Sequence, residues 1–368
     1  MSVFRRYSLL LVCVFLASTC QHIRAPLPEA PQKIQRKQVI LFIGDGMGFE
    51  HVKAAGMYGN NTPGSLSFES FPYHGSVTTT NIYGKVTDSA AASTAMATGT
   101  KVSNGVISVL LPGDGKPLKT IAEYFQESGQ FTGLVTTTFV AHATPAAFAA
   151  HVPNRNNFSD IVSDYLDRSR PNVVFGGARH ITKEMASWAG YRIVTDRESM
   201  LAQDTENVTL LWGLFGHGNM PYEYAGLGSL PHLSEMTSTA LSVLDNEPSG
   251  FFLMVEGGRI DHASHANDIE RAIYETIEFS KAVRVAMDWA EGRDDTLIIV
   301  TADHETGGLA VLENRGNGSI PDVRWETGGH TEKNVPVYAL GDGADQFEGE
   351  IDNTDIFYII MGIAQTAQ

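Results

Sequence analysis

The sequence predicts an α/β fold, with a doubly wound, largely parallel central sheet flanked by helices on both faces. Short apolar, β-rich runs alternate along the chain with stretches in which apolar residues recur at helical spacing, and this alternation is typical of parallel sheets. Each apolar run then changes abruptly to Gly, Asp, Glu, His or Thr. Because ligands of such sheets bind beyond the carboxyl ends of the strands, we expect a site at these polar ends.

Four of the runs predict buried strands, each followed by a polar turn. In chain order they are "QVILFIGDGMG" (38–48), "FTGLVTTTFVAHATP" (131–145), "FFLMVEGGRIDHASH" (251–265) and "TLIIVTADHETGG" (296–308). Two stretches between them predict helices, "LKTIAEYFQESG" and "DIERAIYETIEFSKAVRVAMDWAEG". The second helix carries Ile269, Ile273 and Ile277 on one face. A last apolar strand is predicted after "GGHTEKN".

Residues 36–368 are predicted to form a single domain, because no low-complexity linker or internal repeat interrupts them. A chain of 368 residues that is 43% hydrophobic can bury a substantial core. The segment 154–230 has a less regular pattern, and we expect it to decorate the sheet as small insertions.

The first 20 residues predict a signal peptide, because Arg5 and Arg6 precede an apolar stretch that small residues close and that is too short to span a membrane. Residues 21–35 are polar and predict a flexible tether. Both cysteines, Cys13 and Cys20, lie in the leader, so no disulfide is expected in the mature chain. Cys20 follows "AST", which resembles an imperfect lipoprotein cleavage box. Lipidation of Cys20 and ordinary cleavage between Cys20 and Pro26 both remain open, and both predict an extracytoplasmic protein: periplasmic, an outer-membrane lipoprotein or secreted.

The charge balance argues against a nucleic-acid partner. The chain has 42 acidic residues against 26 Lys and Arg, for a formal net charge of −16, and it lacks a long basic run. Binding to a phosphate backbone needs clustered Lys and Arg. An acidic chain is instead compatible with solubility and with divalent metals.

The polar groups at the strand ends have the side chains that bind metals. "VEGGRIDHASH" places Asp261 and His265 four residues apart, on one face of any helical turn, while His262 faces elsewhere. The mixture of imidazole and oxygen, without thiolate, indicates more than one kind of metal. Two close metals are a standard means of in-line phosphoryl displacement, so the pattern points to phosphate esters. The candidate ligands are Asp45, Thr144, Glu256, Asp261, His265, Asp303, His304 and His330.

Two further residues are candidates for the reaction itself. Ser89 precedes a run of alanines in "VTDSAAASTAMATG", where it is either a helix cap or a nucleophile. Asp88 is the only acidic neighbour in that stretch, so no conventional base is evident. Arg155 follows the Thr144 cluster, and its guanidinium fork would match two phosphate oxygens.

The motifs "GDGMG", "DSAAASTAMATG", "ATPAAFAAH", "VEGGRIDHASH", "TADHETGG" and "GGHT" occur in one order. Together they strongly resemble the alkaline phosphatases, over residues 36 to 365. The resemblance implies hydrolysis of phosphate monoesters through a phosphoserine on Ser89, with Arg155 binding the phosphate. It also implies Zn²⁺ (two ions) and Mg²⁺ (one ion) as cofactors.

The resemblance further implies a ligand set for each metal. One zinc would be held by Asp261, His265 and His330. The second zinc would be held by Asp45, Asp303 and His304, and the magnesium by Asp45, Thr144 and Glu256. His142 and His262 stand where some relatives have Asp and Lys, and the pair is similar to that of the animal enzymes. Both are expected near the substrate.

Three departures and two alternatives accompany the resemblance. Gly216 stands where animal relatives carry an acidic calcium ligand, so a calcium site is not expected. The large interface insertions and the hydrophobic tail of longer relatives are not expected either, while a compact homodimer is. The first alternative is a phosphodiesterase or sulfatase of the same superfamily. The second is a noncatalytic metal- or phosphate-binding surface lipoprotein.

Overall fold

The structure is a computed structural model that describes residues 37–365. The predicted signal peptide (1–20), with Cys13 and Cys20, and the predicted tether (21–35) lie outside the described residues. None of the described helices is long and apolar enough to cross a membrane.

The architecture is a ten-stranded central sheet with helices packed beside it, so the predicted α/β fold is confirmed. The strands are β1 (Lys37–Ile43), β2 (Tyr73–Thr78), β3 (Phe131–Phe139), β4 (Val173–Gly177), β5 (Arg192–Val194), β6 (Leu211–Leu214), β7 (Gly250–Glu256), β8 (Thr296–Thr301), β9 (Glu305–Thr306), β10 (Ala310–Glu313), β11 (Asp322–Arg324), β12 (His330–Thr331), β13 (Val335–Gly341) and β14 (Gly349–Asp352). The order in the large sheet is β14-β2-β13-β8-β1-β7-β3-β4-β6-β5, while β10-β11 and β12-β9 form two small ribbons.

The helices form two groups whose members pack against one another: α1, α8, α9 and α10 in one, and α2, α3, α4 and α11 in the other. Helices α5, α6 and α7 lie in the segment between β3 and β6. The bounds are α1 (Phe49–Asn60), α2 (Ser89–Thr98), α3 (Ile121–Glu127), α4 (Ala143–Ala149), α5 (Phe158–Asp164), α6 (Lys183–Trp188), α7 (Arg197–Leu201), α8 (Leu233–Leu244), α9 (Arg259–His265), α10 (Ile269–Ala290) and α11 (Asn353–Gln365).

The four predicted strands are the centre of the sheet. β1 pairs in parallel with both β7 and β8, and Ile43 lies opposite Glu256 on one side and Thr301 on the other. β3 continues the parallel set beyond β7. The polar turns after these strands are therefore brought to one edge, because neighbouring parallel strands in register end together.

Two expectations are corrected by the topology. Residues 154–230 were expected only to decorate the sheet, but they supply β4, β5 and β6 to it. His330 was correctly expected to precede an apolar strand, which is β13, but it was also grouped with residues that lie at the carboxyl ends of strands. β13 runs antiparallel to β8, so its start lies at the carboxyl edge of the parallel strands. His330 reaches the same edge from the opposite chain direction.

Phe279 on α10 joins this helix to the sheet and to the turn after β7. Its ring is fully buried, with its centre 5.9 Å from that of Phe42 and 6.1 Å from that of Phe68. A Cβ atom added to Gly257 would lie only 2.8 Å from the Phe279 ring, so the turn after β7 is closely packed on this side chain.

We predict that Phe279→Ala lowers the free energy of unfolding by about 3–5 kcal/mol, because a buried aromatic side chain is replaced by a cavity. Urea unfolding at fixed metal concentration measures the change. Trp188→Ala is the control, since the Trp188 side chain is 86% exposed and its removal should change the free energy by less than about 0.5 kcal/mol. Equal effects of the two substitutions would contradict the prediction.

Candidate functional site

Five adjacent strands bring the candidate ligands together. In spatial order, β13, β8, β1, β7 and β3 are followed, or in the case of β13 preceded, by the predicted residues. Each position is buried or half-buried except that of His265, whose side chain is 39% exposed. The residues contributed in that order are His330; Asp303 and His304; Asp45; Glu256, Asp261 and His265; and Thr144.

A first group consists of Asp261, His265 and His330, which can all offer ligand atoms to one ion. His265 Nδ1 donates to the carbonyl of Gly328 (2.7 Å), and His330 Nδ1 donates to that of Thr87 (2.9 Å). A carbonyl oxygen only accepts, so in the neutral rings the lone pair lies on Nε2. The two Nε2 atoms face each other at 3.1 Å.

The carboxylate of Asp261 completes this group, with Oδ2 at 3.3 Å from His265 Nε2 and Oδ1 at 3.6 Å from His330 Nε2. Hydrogen bonding and charge from Asp261 raise the pKa of His265 to about 9. Burial alone would raise the pKa of Asp261, but the hydrogen bond from His265 and the nearby imidazoles outweigh it and lower the pKa. Two lone pairs and a carboxylate directed at one point require a cation there, either a proton or a metal.

A second group lies beside Ser89. His304 Nε2 is 3.2 Å from Asp303 Oδ2 and 3.6 Å from Asp45 Oδ1, and all three side chains are fully buried. The same nitrogen is 3.3 Å from Ser89 Oγ. Both oxygens of Asp45 and Oδ2 of Asp303 are buried without a hydrogen-bond partner among the described residues.

A third group contains Glu256, Thr144 and the shared Asp45. Glu256 Oε2 accepts hydrogen bonds from Thr136 and Thr138, while Glu256 Oε1 and Thr144 Oγ1 are buried and accept none from residues 37–365. Such orphaned oxygens are costly unless a water or cation meets them. His142 can also join this group, but its Nε2 accepts from Arg155 (3.2 Å). In the neutral ring Nδ1 then carries the proton, and it is buried without a hydrogen-bond partner among the described residues.

Burial raises the pKa of three carboxylates in these groups, those of Asp45, Asp303 and Glu256. Burial, followed by the neighbouring Asp303, Asp261 and Glu256 carboxylates, raises the pKa of Asp45 well above its usual value. Burial also raises the pKa of Asp303 to about 6 and that of Glu256 to about 7, and it lowers the pKa of His304 to about 4. Without additional positive charge, carboxylates so close together resist ionisation. The oxygen-rich donor set fits divalent cations.

Ser89 is the first residue of α2, but it is not the helix cap. The cap is Asp88, whose Oδ1 accepts from the backbone N–H of Ala91 (3.0 Å). Ser89 Oγ therefore takes no part in capping and faces His304 Nε2 at 3.3 Å. The alanines that follow are buried throughout, where α2 packs against α4 and α11.

Arg155 is held beside Ser89 by the same aspartate. Its Nη1 is 3.0 Å from Asp88 Oδ2, and its backbone N–H donates to Gly105 (2.7 Å), whose own N–H donates to Asp88. Nη2 donates to His142 Nε2. His262 lies next to His142, with the ring centres 5.7 Å apart in an edge-to-face arrangement. Burial and the charge of Arg259 lower the pKa of His262 to about 4.

Several supporting residues were not singled out from the sequence. Asp88 was noted only as an acidic neighbour. Thr136 and Thr138 bind Glu256, and Thr306 Oγ1 donates to Asp261 Oδ1 (2.6 Å). For Thr136 and Thr138, the available sequence signal was the unusual run "TTT" near the end of a buried strand. Thr306 had no comparable signal, because its partner is 45 positions away.

A family model described as "Alkaline phosphatase" matches residues 36–179 and 174–320 of the chain. The chain belongs to the alkaline phosphatase family. It is thus a phosphatase that hydrolyses phosphate monoesters, and the predicted reaction class is confirmed. The family is metal-dependent, in agreement with the ligand groups above.

Individual relatives agree with the family match. Alkaline phosphatase 3 of Bacillus subtilis is 33% identical, with 87% of each chain covered. The streptomycin-6-phosphate phosphatase of Streptomyces griseus is 32% identical, covering 95% of this chain and 93% of that protein. The structure of the alkaline phosphatase from the Antarctic bacterium TAB5 superposes with a TM-score of 0.80 at 31% identity, covering 91% of this chain and all of that one.

We predict that the metal-free phosphatase loses stability as the pH rises from about 4.5 to 7, with Glu256 as one cause. The folded-state pKa of this residue, about 7, exceeds its unfolded value, so the folded state binds the proton more tightly and the contribution is lost as the pH rises through 7. Glu256→Gln should therefore gain roughly 2–3 kcal/mol relative to the parent between pH 5 and pH 8.

Chemical unfolding of chelated protein at several pH values tests this. Glu348→Gln makes the same substitution at an exposed position and serves as the control. A difference between Glu256→Gln and the parent that does not change with pH would refute the prediction.

Proposed function

We propose that the chain hydrolyses phosphate monoesters through a covalent phosphoserine on Ser89, with two zinc ions and one magnesium ion. The observation that carries the proposal is the convergence of three ligand groups around one serine hydroxyl that is not used as a helix cap and that lies 3.3 Å from Nε2 of the candidate ligand His304. The orphaned oxygens of Asp45, Asp303, Glu256 and Thr144 support it, because such atoms are satisfied by cations.

The donor chemistry of each group supports a particular ion. Asp261, His265 and His330 offer two imidazoles and one carboxylate, a set that suits zinc. Asp45, Asp303 and His304 would hold the second zinc beside Ser89 Oγ. Asp45, Thr144 and Glu256 offer only oxygen, which suits magnesium. When bound, the ions supply Lewis acidity that lowers the pKa of a coordinated hydroxyl and stabilises charge on the attacking and leaving oxygens.

The first step is attack by Ser89 Oγ on phosphorus, in line with the leaving alcohol oxygen. The P–O bond to the alcohol breaks as the bond to Ser89 forms; the Ser89 hydroxyl releases its proton to solvent, and the departing alcohol oxygen takes up a proton from solvent. Ser89 is at the first position of α2, where backbone N–H groups and the helix dipole favour an approaching anion. Water then attacks the phosphoserine from the opposite side and releases phosphate.

Arg155 would bind two oxygens of the transferred phosphoryl group. A guanidinium fork matches these oxygens and neutralises the charge that the phosphoryl group spreads over them. Asp88 holds the fork beside Ser89 through one nitrogen (3.0 Å), so the orientation needs little reorganisation when substrate binds. His142 and His262 would contact the substrate from the neighbouring side. These contacts address the phosphate, so little discrimination between alcohols is expected.

We also propose the cellular context and the assembly. Residues 1–20 would be a signal peptide, 21–35 a tether, and 36–368 a single catalytic domain, giving an extracytoplasmic enzyme that is periplasmic, secreted or anchored to the outer membrane by lipid on Cys20. The sequence pattern of the leader supports this location. A homodimer is proposed from the family resemblance. Mass spectrometry of the mature N-terminus and light scattering test the two proposals.

We predict that Ser89→Ala lowers kcat by at least about a thousandfold, because the nucleophile is lost. Ser93, one turn further along α2, is equally buried and gives the matched control: Ser93→Ala should retain activity within a fewfold. Acid quenching during turnover, followed by mass spectrometry, should find phosphate on Ser89. Near-full activity of Ser89→Ala would overturn the covalent route.

We predict that chelation abolishes the hydrolysis of 4-nitrophenyl phosphate and that zinc with magnesium restores it, since metals carry most of the charge stabilisation. Glu256→Gln should retain the response to zinc but lose most of the response to magnesium. Metal content is measured by mass spectrometry in the same samples. Full activity of samples shown to be metal-free would exclude the proposed cofactors, and faster turnover of a diester or sulfate ester would contradict a monoesterase.

A further inference from the structure

Arg259, the first residue of α9, has no part in the reaction proposed above, yet its guanidinium group is held in a defined place. The guanidinium carbon lies 3.8 Å from the centre of the Tyr222 ring, and Nη1 is 2.8 Å from Nδ1 of His262. Its Nε is buried and has no hydrogen-bond partner within residues 37–365. Leaving Nε without a hydrogen-bond partner costs free energy. The stacking on Tyr222 and the hydrogen bond to His262 offset this cost.

The contact to His262 decides which ring nitrogen carries the proton. A guanidinium group can only donate, so Nδ1 of His262 must accept. In the neutral ring the proton then lies on Nε2, at the edge that faces away from Arg259. Among the described residues none forms a hydrogen bond with this Nε2. His262 therefore presents a donor that is not used within the protein.

The ring that carries this donor lies next to a residue that contacts the group proposed to bind phosphate. The ring of His262 stands 5.7 Å from that of His142, edge to face, and His142 accepts from Arg155 through Nε2 at 3.2 Å. Each histidine is thus paired with one arginine, and the two pairs are adjacent. Arg155 is directed by Asp88 and Arg259 by Tyr222, so both arginines are held independently of any ligand.

We propose that Arg259 is a positioning residue that, stacked on Tyr222, holds His262 in the tautomer that donates from Nε2 to an oxygen of the bound phosphate. The inference rests on the proposed role of Arg155 in binding that phosphate. His262 binds as a neutral donor, which adds directionality to the site without adding charge. The guanidinium of Arg259 acts through His262 and not on the phosphate itself.

The tautomer can be observed directly by ¹⁵N NMR of histidine-labelled holoenzyme, with His262 assigned from the His262→Ala variant. The parent should show a protonated Nε2 and an unprotonated Nδ1. Arg259→Gln should shift this pattern toward the other tautomer or a mixture. Arg271→Gln is the matched control, because Arg271 also lies over Tyr222, at 4.9 Å, but forms its ion pair with Asp268. It should leave the pattern of His262 unchanged.

Binding of inorganic phosphate to the holoenzyme, measured as competitive inhibition, gives the functional test. Arg259→Gln should weaken binding at least about tenfold, the size expected for one hydrogen bond to a charged acceptor. His262→Ala should have a similar effect. In the His262→Ala background, Arg259→Gln should add little, because its effect is transmitted through the missing ring.

Two results would overturn the inference. One is a His262 tautomer that stays the same in Arg259→Gln, and the other is additive loss of phosphate binding in the double variant, which would mean that Arg259 acts on the ligand independently. Failure of the covalent mechanism would appear separately, as absence of phosphate on Ser89 with the tautomer result intact.

Discussion

The burial of several carboxylates at one edge of the sheet is the constraint on which the site depends. Asp45, Asp303 and Glu256 are fully buried, and Asp261 nearly so. Taking charges out of water is costly, and like charges at these separations raise one another's pKa. The protein offers some compensating donors: Thr136 and Thr138 to Glu256, backbone N–H groups to Asp303, and Thr306 with His265 to Asp261. Both oxygens of Asp45, Oδ2 of Asp303 and Oε1 of Glu256 have no hydrogen-bond partner among the described residues, and divalent cations would satisfy them.

The sheet topology makes this concentration of charge feasible. Strands β8, β1 and β7 end in register, so Glu256 stands at the end of β7 itself and Asp45 and Asp303 follow their strands by two residues, while Asp261 is carried by α9. The apolar strands that precede these polar ends are buried in the core and hold the backbone at the polar ends in place. The antiparallel β13 adds His330 from the other direction. A wholly parallel sheet would have placed the segment before that strand at the far edge.

Around the ligand groups, each arginine and histidine side chain is oriented by its own hydrogen-bond or ion-pair partner. Asp88 caps α2 and holds Arg155, so the Ser89 hydroxyl is not used as the helix cap and faces His304. Carbonyl oxygens of Gly328 and Thr87 turn His265 and His330 so that their Nε2 atoms converge. In each case the outer hydrogen bond selects the tautomer of the ring, and the tautomer selects what the inner nitrogen can bind.

The sequence by itself determined the fold class, the four central strands and the residues at their ends. These features depend on local properties: apolar, β-branched runs predict buried strands, and abrupt polar turns predict a site at the carboxyl edge. The family could be assigned because the motifs occur in one order. The tertiary structure alone decided that residues 154–230 supply three strands, that His330 enters from an antiparallel strand, and that Asp88 and not Ser89 caps α2. It also revealed Thr306 beside Asp261 and the stacking of Arg259 on Tyr222. These contacts join residues tens of positions apart, and no local pattern encodes which distant side chain will meet a given hydrogen-bond donor.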